Sequence, residues 1–464
     1  MSLLGQRYAS QEMKTIWSRE FKIKSERDLW ITVLKTQKRL GLEVTDEVIS
    51  QYEKVKDVIN LQSIDDREMK TKHDVMARID EFNELAGNQR IHIGMTSRDL
   101  TENIELFQIG SALELVQMKS LALIKHLADF SKNNMDLAMV ARTHNIPAQV
   151  TTMARRSATW MEELLFAIRH LEDLQNRLPL RGIKGPIGTG EDLNDLFGDG
   201  YQDIESEIAA ELGFGNLLKA PSQIYPRSID YEVLTTLAQI ASAPSNIATN
   251  IRIMSGLGLV SEGFSEGQVG SSAMPHKVNP RLSERVNGLT AILKGYVVMI
   301  QELIGNQWNE GDVSCSVVRR VAIADSFYTI DAILDTSMRI IRDLVIHREV
   351  IDRELEENLP FLLSSKLLAL AVKNGVGRED AHSIIKKYSQ LAIENFRKSG
   401  VNNLFELITT DKSLGISLKS IEELLASSKL LGSAKKQCEL LIKEGLIKVG
   451  SNSDSARYSP LESL

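Results

Sequence analysis

Five long segments with helical apolar periodicity most constrain the fold of this chain. In each of them apolar residues recur every three or four positions, the spacing that lines one face of an α-helix. The segments span residues 98–132, 151–178, 229–255, 281–304 and 317–344. Helices of about 25–35 residues extend roughly 40–50 Å at ~1.5 Å per residue. The pattern predicts an all-α protein built around an elongated bundle, with a kink at Pro244 inside the third segment.

Shorter helical patterns flank the long segments and divide the chain into three predicted domains. A chain of 464 residues exceeds the roughly 250–300 residues at which a single hydrophobic core stops growing. We predict an N-terminal helical domain over residues 1–105, a central long-helix bundle over 106–355 and a C-terminal helical domain over 356–464, ending in a frayed tail from residue 451. The long segments are apolar over more than one stripe, so we expect an oligomer in which other subunits cover part of them.

Composition and charge argue against several functions. The net charge is −7 with both signs interspersed, so no broad basic surface is expected for nucleic acid or for an anionic membrane. Cys315 and Cys438 are too few for a disulfide framework, which fits a reducing compartment. The sequence contains no apolar run of about 18 residues, and residues 1–10 lack the pattern of a signal peptide. We therefore expect a cytoplasmic protein.

A glycine-rich stretch over residues 256–280 separates two of the long helical segments. Loops longer than about 12–15 residues in compact domains are usually lids, binding loops or disordered linkers. A plain linker does not require chemically active side chains packed together before a helix, and this stretch ends with Ser271, Ser272, His276, Lys277 and Asn279. The composition favours a lid or binding loop over a linker.

The sequence GSSAMPHKVNP within this stretch, followed by Glu284, resembles the signature loop of the fumarase/aspartase superfamily. The resemblance implies that Ser271 or its neighbour Ser272, with Ser271 nominated by position, removes a proton from the carbon next to a carboxylate. It also implies that Lys277 and Asn279 hold the substrate. Glu284 is similar to the carboxylate that orients the acidic histidine, although a glutamate in the first turn of a helix is favourable without any catalytic role.

The chemistry of this superfamily explains why such residues are needed. Removing a proton beside a carboxylate produces a dianionic intermediate, which positive charge and preorganised donors stabilise. Lys277 and the backbone N–H groups of a glycine-rich loop supply both. A serine is a poor base at its ordinary pKa, so nearby cations, oriented amides or exclusion of water must activate it.

The leaving group needs a proton, and histidine is the side chain best suited to donate one near neutral pH. His144 lies in the sequence ARTHNIPAQVTTMARR, which we interpret as an irregular segment before a long helix. This sequence resembles the second signature region of the superfamily and implies that His144 is the general acid. The alternative is a loop histidine bonded to a backbone carbonyl.

Two further phrases resemble the adenylosuccinate lyase family in particular. The phrase KHDV contains His73 and Asp74, which by resemblance lie near the nucleotide or support the acid. The phrase IHIGMTS contains His92, Thr96 and Ser97. The resemblance assigns these three to substrate binding, with the two hydroxyls on the succinyl carboxylate. Hydroxyl and N–H groups at a helix start form an anion site, although Ser97 is equally suited to capping the helix.

Two other segments resemble parts of the family that bind the nucleotide phosphate. Arg7 and Tyr8 resemble an N-terminal pair of the family that meets the phosphate, and arginine suits that task by its bidentate geometry. Ser316 and Arg320, in WNEGDVSCSVVRR, resemble a serine and an arginine with the same role. One family variant carries another arginine at the position of Gly311, so the predicted site here has one cation fewer.

Three other residues leave alternatives open. Arg319 is a candidate to compensate for the cation absent at Gly311. Gln223, in SQIYPRSID, resembles a family glutamine at the substrate, and Arg227 follows it. Either of these two is also compatible with an ordinary loop residue.

The resemblance implies a homotetramer with its long helices in a central bundle and each active site built from three subunits, with no cofactor and no metal. It implies cleavage of adenylosuccinate to AMP and fumarate, and of succinylaminoimidazole carboxamide ribotide to its free amide and fumarate. The alternatives are another fumarate-releasing member of the superfamily, of the argininosuccinate lyase or carboxymuconate cycloisomerase type, and a non-catalytic helical scaffold.

Overall fold

The structure is a computed structural model that describes residues 2–263, 274, 276–426 and 428–460. It is 71% helical with few strands, so the predicted all-α class is confirmed. Six helices precede the first long one: α1 (Leu3–Tyr8), α2 (Gln11–Ile16), α3 (Arg19–Arg39), α4 (Asp46–Val55), α5 (Leu61–Thr71) and α6 (Asp74–Ala86).

The long helices follow the predicted segments closely. The elements in chain order are α7 (Ser97–Asn133), β1 (Ala138–Thr143), β2 (Ile146–Thr152), α8 (Met153–Arg177), α9 (Glu191–Phe197), α10 (Gln202–Glu211), α11 (Ser228–Ile240), α12 (Ser242–Gly256), β3 (Val260–Ser261), α13 (Arg281–Gln301), α14 (Ser314–Asp343) and β4 (Val345–Ile346). Helix α7 packs against α8 and α14, α13 packs against α14, and α11 and α12 pack against α8, α13 and α14 around one hydrophobic core.

The third predicted segment is divided into α11 and α12. Only Ala241 separates them, and its backbone is itself right-handed helical. Pro244 lies in the first turn of α12, where a missing N–H leaves no hydrogen bond unmade. The predicted kink therefore takes the form of a junction just before the proline.

Two short antiparallel ladders join the ends of the long helices. Strands β1 and β2 form a hairpin that leads directly into α8. Strands β3 and β4 bring the end of α14 beside residue 260, just ahead of the predicted signature loop. The Glu262 carboxylate then accepts hydrogen bonds from Leu282 N–H and Ser283 N–H at 2.9 and 2.8 Å. The start of α13 is therefore tied to the strand that precedes the loop.

The C-terminal elements fall into two parts. Helix α15 (Arg348–Leu362) contributes Ile351 to the main core, and its end packs against a smaller apolar cluster. That cluster is formed by α16 (Ser364–Lys373), α17 (Arg378–Ser399), α18 (Leu404–Thr410) and α19 (Leu418–Ala426). The last helix, α20 (Ala434–Gly450), instead packs on α7 and α8 and joins the main core. The division at residues 105 and 355 stays a prediction.

The predicted frayed tail is wrong for residues 451–460. Ser455 is fully buried, and the Tyr458 hydroxyl donates to Asp335 of α14 at 2.9 Å. These contacts hold the segment against the bundle. Among the helices of the described residues, none has the length and apolar character that crossing a membrane requires.

Candidate active site

Four helix N-termini meet at one cavity of about 530 Å³. Helices α3, α6, α7 and α14 all begin in its walls. The first N–H groups of a helix lack intrahelical partners, and its N-terminus carries a partial positive charge. The cavity is therefore suited to an anion. The walls include five of the predicted site residues, His73, Asp74, Ser97, Ser316 and Arg320.

His73 caps helix α6 and faces Ser97. Its Nδ1 accepts the backbone N–H of Met76 at 3.2 Å, and its Nε2 lies 3.4 Å from the Ser97 hydroxyl. Because Nδ1 is an acceptor, the proton of the neutral ring belongs on Nε2. His73 therefore presents a donor to the cavity. The side chain is about half exposed, at 52%.

The IHIGMTS segment is held rigidly behind the cavity. Asp99 is fully buried, and its carboxylate accepts Thr96 N–H at 2.8 Å and Lys184 N–H at 2.9 Å. It also pairs with the buried Arg181. Thr96 is the N-cap residue of α7, and Ser97 is its first residue. The alternative role of capping the helix, which was considered for Ser97, therefore belongs to Thr96. Thr96 lies outside the cavity walls.

His92 lies in the same segment but outside the cavity walls. Its backbone is left-handed, with φ 66°, and its Nδ1 accepts the indole N–H of Trp30 at 3.0 Å. Burial, together with a smaller effect of the nearby His73, lowers the pKa of His92 to about 4. His92 is therefore neutral near pH 7 and has its proton on Nε2.

A buried ionic cluster supports the cavity from behind. Glu102 of α7 pairs with Arg227 at 2.8 Å, and Asp230 pairs with Arg319 of α14 at 2.7 Å. Arg319 also pairs with Glu105 at 2.6 Å. Burial alone would raise the pKa of Glu105, but Arg319 and Lys22 outweigh it and lower the pKa to about 2.

These pairings decide between the candidate arginines. Arg227 and Arg319 are buried and bonded to carboxylates, so they build the wall rather than offering a free cation. Arg320 is exposed and lines the cavity. Gln223 is half-buried outside the cavity walls, and its N–H donates to Glu310 at 3.0 Å.

A second group of predicted residues lies at the start of α13. The Tyr8 ring lies between two guanidinium groups, 5.7 Å from Arg7 and 5.3 Å from Arg285. Glu284 is exposed in the first turn of α13. The sequence analysis did not identify Arg285, although it directly follows Glu284.

Only part of the predicted signature loop is described. Ser271 and Ser272 lie outside the described residues. Lys277 is exposed, and its N–H donates to Met274 at 3.0 Å. Asn279 is half-buried, two residues before α13 begins.

His144 is in a third place, at the tip of the β1–β2 hairpin. The segment predicted to be irregular is therefore a hairpin turn. Both turn residues are left-handed, with φ 51° at His144 and 63° at Asn145. Such a turn matches the twist of a two-residue hairpin, and asparagine tolerates it well. Arg142 fixes the hairpin by pairing with Glu354 of α15. The exposed His144 thus points away from the core.

Within one subunit the predicted residues fall into these three groups, and the described walls of the cavity include neither His144 nor Lys277. The cavity instead contains three cationic residues that the sequence analysis missed, Arg19, Lys22 and Arg98. The signal for Arg98 was its place directly after Ser97. No sequence signal marked Arg19 or Lys22, which reach the cavity through the fold.

The chain is similar to known proteins over most of its length. A family model described as "Lyase" matches residues 13–295, and one described as "Adenylosuccinate lyase C-terminus" matches residues 360–441. The adenylosuccinate lyase of Saccharomyces cerevisiae is 32% identical over 95% of this chain and 93% of its own. The adenylosuccinate lyase of Archaeoglobus fulgidus is 30% identical over 94% of this chain and 97% of its own.

Solved structures show the same fold at lower identity. The 3-carboxy-cis,cis-muconate lactonizing enzyme from Pseudomonas putida has a TM-score of 0.82 and 17% identity, over 96% of this chain and 99% of its own. Fumarate lyase from Mesorhizobium sp. BNC1 has a TM-score of 0.81 and 20% identity, over 95% of this chain and 100% of its own. Because the "Lyase" family model spans more than half of the sequence and the likeness to the yeast enzyme runs along nearly all of it, the chain is a lyase and belongs to the adenylosuccinate lyase family.

Proposed function

We propose that this chain eliminates fumarate from adenylosuccinate to give AMP, and from succinylaminoimidazole carboxamide ribotide to give its free amide. The observation that carries the proposal is the cavity in which four helix N-termini, a histidine donor and Arg320 meet. A nucleotide with a succinyl group carries two carboxylates and a phosphate, and such a cavity is suited to anionic oxygens.

We assign the two proton transfers to residues from different groups. Ser271 is the base that takes the proton beside the succinyl carboxylate, with Ser272 as the other candidate. His144 is the acid that protonates the leaving nitrogen, and Glu284 orients it. Lys277 and Asn279 meet the charge that develops on the carboxylate, because preorganised positive charge is most effective where charge appears in the transition state.

The remaining residues bind the nucleotide and the succinyl group. Arg7 and Tyr8 contact the phosphate together with Ser316 and Arg320. The other contacts are assigned to His73, Asp74, His92, Thr96, Ser97 and Gln223. The neutral Nε2–H of His92 suits it to donate to a carboxylate or a base edge.

The separation of the three groups supports a homotetramer, in the cytoplasm, whose active sites are shared between subunits. Within one subunit, neither His144 nor Lys277 is among the residues that line the cavity. Large apolar side chains on α13 and α14 are exposed in the isolated chain, including Val298 at 57% and Val317 at 71%. Other subunits that cover these faces would bring a partner's His144 or loop to the cavity.

The test is fumarate release from adenylosuccinate by the purified protein, followed by ultraviolet absorbance. We expect the wild type to be active and Ser271→Ala and His144→Ala to lose at least about 10²-fold in kcat, since general acid–base catalysis contributes about 10²–10⁴-fold. His382→Ala is the matched control, because His382 is exposed on α17 in the C-terminal cluster. Circular dichroism checks that each variant is folded.

Substrate specificity and site sharing have separate readouts. A wild type that cleaves argininosuccinate and leaves adenylosuccinate intact would refute the substrate assignment. Inertness toward both would favour the non-catalytic scaffold. Mixing inactive His144→Ala and Ser271→Ala subunits tests sharing, because reassembled tetramers then contain some sites with both intact residues. No recovery after verified subunit exchange would refute shared sites.

A further inference from the structure

We propose that Arg98 is a direct ligand of the substrate's phosphate and completes the anion site formed by Ser316 and Arg320. This inference rests on the proposed function, because it names the part of that substrate which this corner of the cavity binds.

The geometry places Arg98 between two helix N-termini. It is the second residue of α7, and its Nη2 donates to the Ser316 hydroxyl of α14 at 3.0 Å. Ser316 and Arg320 are four residues apart on α14 and therefore share one helix face. All three residues line the cavity. The Arg98 side chain is only 15% exposed, so its charge acts where water screens it weakly.

Three other cations near this wall are already paired. Arg227 and Arg319 are buried against Glu102 and Asp230, and Arg19 is paired with Asp65. Arg98 shares Glu102 through its Nη1 at 2.9 Å, but its Nη2 meets only the neutral hydroxyl of Ser316 in the hydrogen bonds described. This nitrogen is therefore available, beside Arg320, to an anionic oxygen.

The local charge balance matches a phosphate. The ionic side chains that line the cavity are the cations Arg19, Lys22, Arg98, Arg319 and Arg320 and the carboxylates Asp74 and Glu105. The buried cluster behind them adds Arg227, Glu102 and Asp230. These six cations exceed the four carboxylates by two positive charges. A phosphate monoester carries about −1.5 to −2 charges at pH 7.

The loop that contains Gly311 does not supply a cation in place of Arg98. Gly311 has φ 148°, a conformation that strains any residue with a side chain. The cation that the family variant carries at this position is therefore supplied here from α7.

The experiment compares two substrates that differ only in the phosphate. Wild type and Arg98→Gln are assayed with adenylosuccinate and with the same succinylated nucleoside lacking the phosphate. Loss of one charge-assisted contact is expected to raise KM for adenylosuccinate by about 10- to 100-fold. The kcat should stay within a few-fold, because the phosphate is held equally in the ground and transition states. The kcat/KM for the nucleoside should not change.

Controls separate this role from a structural one. Arg378→Gln removes an exposed arginine on α17 and should leave both substrates unaffected. Arg98→Lys keeps the charge but loses the planar fork, so its effect on KM should be intermediate. An equal fall in kcat/KM for both substrates would overturn the proposal, because Arg98 would then support the site without touching the phosphate.

Failure of the proposed function is recognised independently. If the wild type does not cleave adenylosuccinate, the function is wrong, and Arg98 is judged by calorimetric binding of AMP and inorganic phosphate. A phosphate site would still be supported if AMP and inorganic phosphate both bind more weakly to the variants than to the wild type, with Arg98→Gln more severely affected than Arg98→Lys. Equal binding by all three proteins would overturn it.

Discussion

The indole N–H of Trp30 donates to Nδ1 of His92 over 3.0 Å, and the two rings meet edge to face. This bond assigns the acceptor role to Nδ1, so the proton of neutral His92 belongs on Nε2. A fully buried tryptophan 62 residues away in sequence thus selects the tautomer of a predicted substrate-binding residue.

Replacing Trp30 should remove the preference of His92 for one tautomer. In Trp30→Phe the Nδ1 atom loses its donor, so we expect His92 to populate both tautomers. Nitrogen NMR of labelled histidine distinguishes the two ring nitrogens. Trp160→Phe is the matched control, because Trp160 is also buried but lies on α8, away from His92. An unchanged tautomer in Trp30→Phe would contradict this account.

The lowered pKa of His92 predicts that acid destabilises the fold. The unfolded value is about 6.5 and the folded value about 4, so between these values the unfolded state binds more protons. The contribution is fully present above about pH 6.5 and is lost as the pH falls toward 4, amounting to roughly 3–3.5 kcal/mol. Unfolding free energies of wild type and His92→Gln across this range test it. The difference between them should shrink with acid, and a constant difference would argue against it.

Lys119 is predicted to be a major contributor to stability. It is fully buried and pairs with Asp331 and with Asp335, the latter at 2.8 Å. Lys119→Met would leave these carboxylates without their cation, so we expect a loss of about 3–5 kcal/mol in denaturant unfolding. Lys125→Met, on the same helix, breaks only an exposed pair with Asp129 and should cost at most about 1 kcal/mol. Equal losses would refute the prediction.

The same ion pair positions the N-terminal segment that carries Arg7 and Tyr8. Asp331 accepts the Ser10 N–H at 2.6 Å. In Asp331→Asn the amide keeps an acceptor for Ser10 but loses the charge that pairs with Lys119. We expect KM for adenylosuccinate to rise more than kcat falls, because this segment is proposed to hold the phosphate. Steady-state kinetics of Asp331→Asn test this prediction, and a fall confined to kcat would contradict it.

Glu262 is expected to couple the strand before the signature loop to the helix after it. Its carboxylate is buried and accepts three hydrogen bonds, from Leu282 N–H, Ser283 N–H and the Ser283 hydroxyl. Glu262→Ala removes a helix cap and should cost about 1–3 kcal/mol in thermal unfolding, with a fall in kcat. Ser283→Ala removes one of the three bonds and should have a smaller effect. The reverse order would contradict this coupling.

The hairpin turn at His144 makes a prediction about its neighbour. Asn145 has φ 63°, which glycine adopts freely and a β-branched residue resists. Asn145→Gly should keep stability and activity, whereas Asn145→Val should lose about 1–3 kcal/mol and lower kcat by displacing His144. Thermal unfolding and fumarate release measure both effects. Full activity of Asn145→Val would show that the turn does not position His144.

Local chemistry in the sequence was sufficient for the long helices and their starts. Helix α7 begins at Ser97, where the hydroxyl residues Thr96 and Ser97 precede the apolar pattern, and α8, α13 and α14 follow the apolar periodicity, because these signals act over a few residues. The sequence motifs likewise identified predicted site residues in each of the three groups. The tertiary structure was needed for the tail, since Tyr458 is ordered by Asp335, 123 positions away.

The sequence by itself did not distinguish the roles of Arg319 and Arg320, two neighbouring arginines of α14. The motif nominated Arg320 for phosphate binding and left Arg319 as a possible additional cation. Only the fold brings Asp230 and Glu105, 89 and 214 positions away, against Arg319 and leaves Arg320 and Arg98 at the cavity. Sequence patterns record a residue's chemical type and its local helix phase. Whether its charge is neutralised depends on groups that only chain folding brings within a few ångströms.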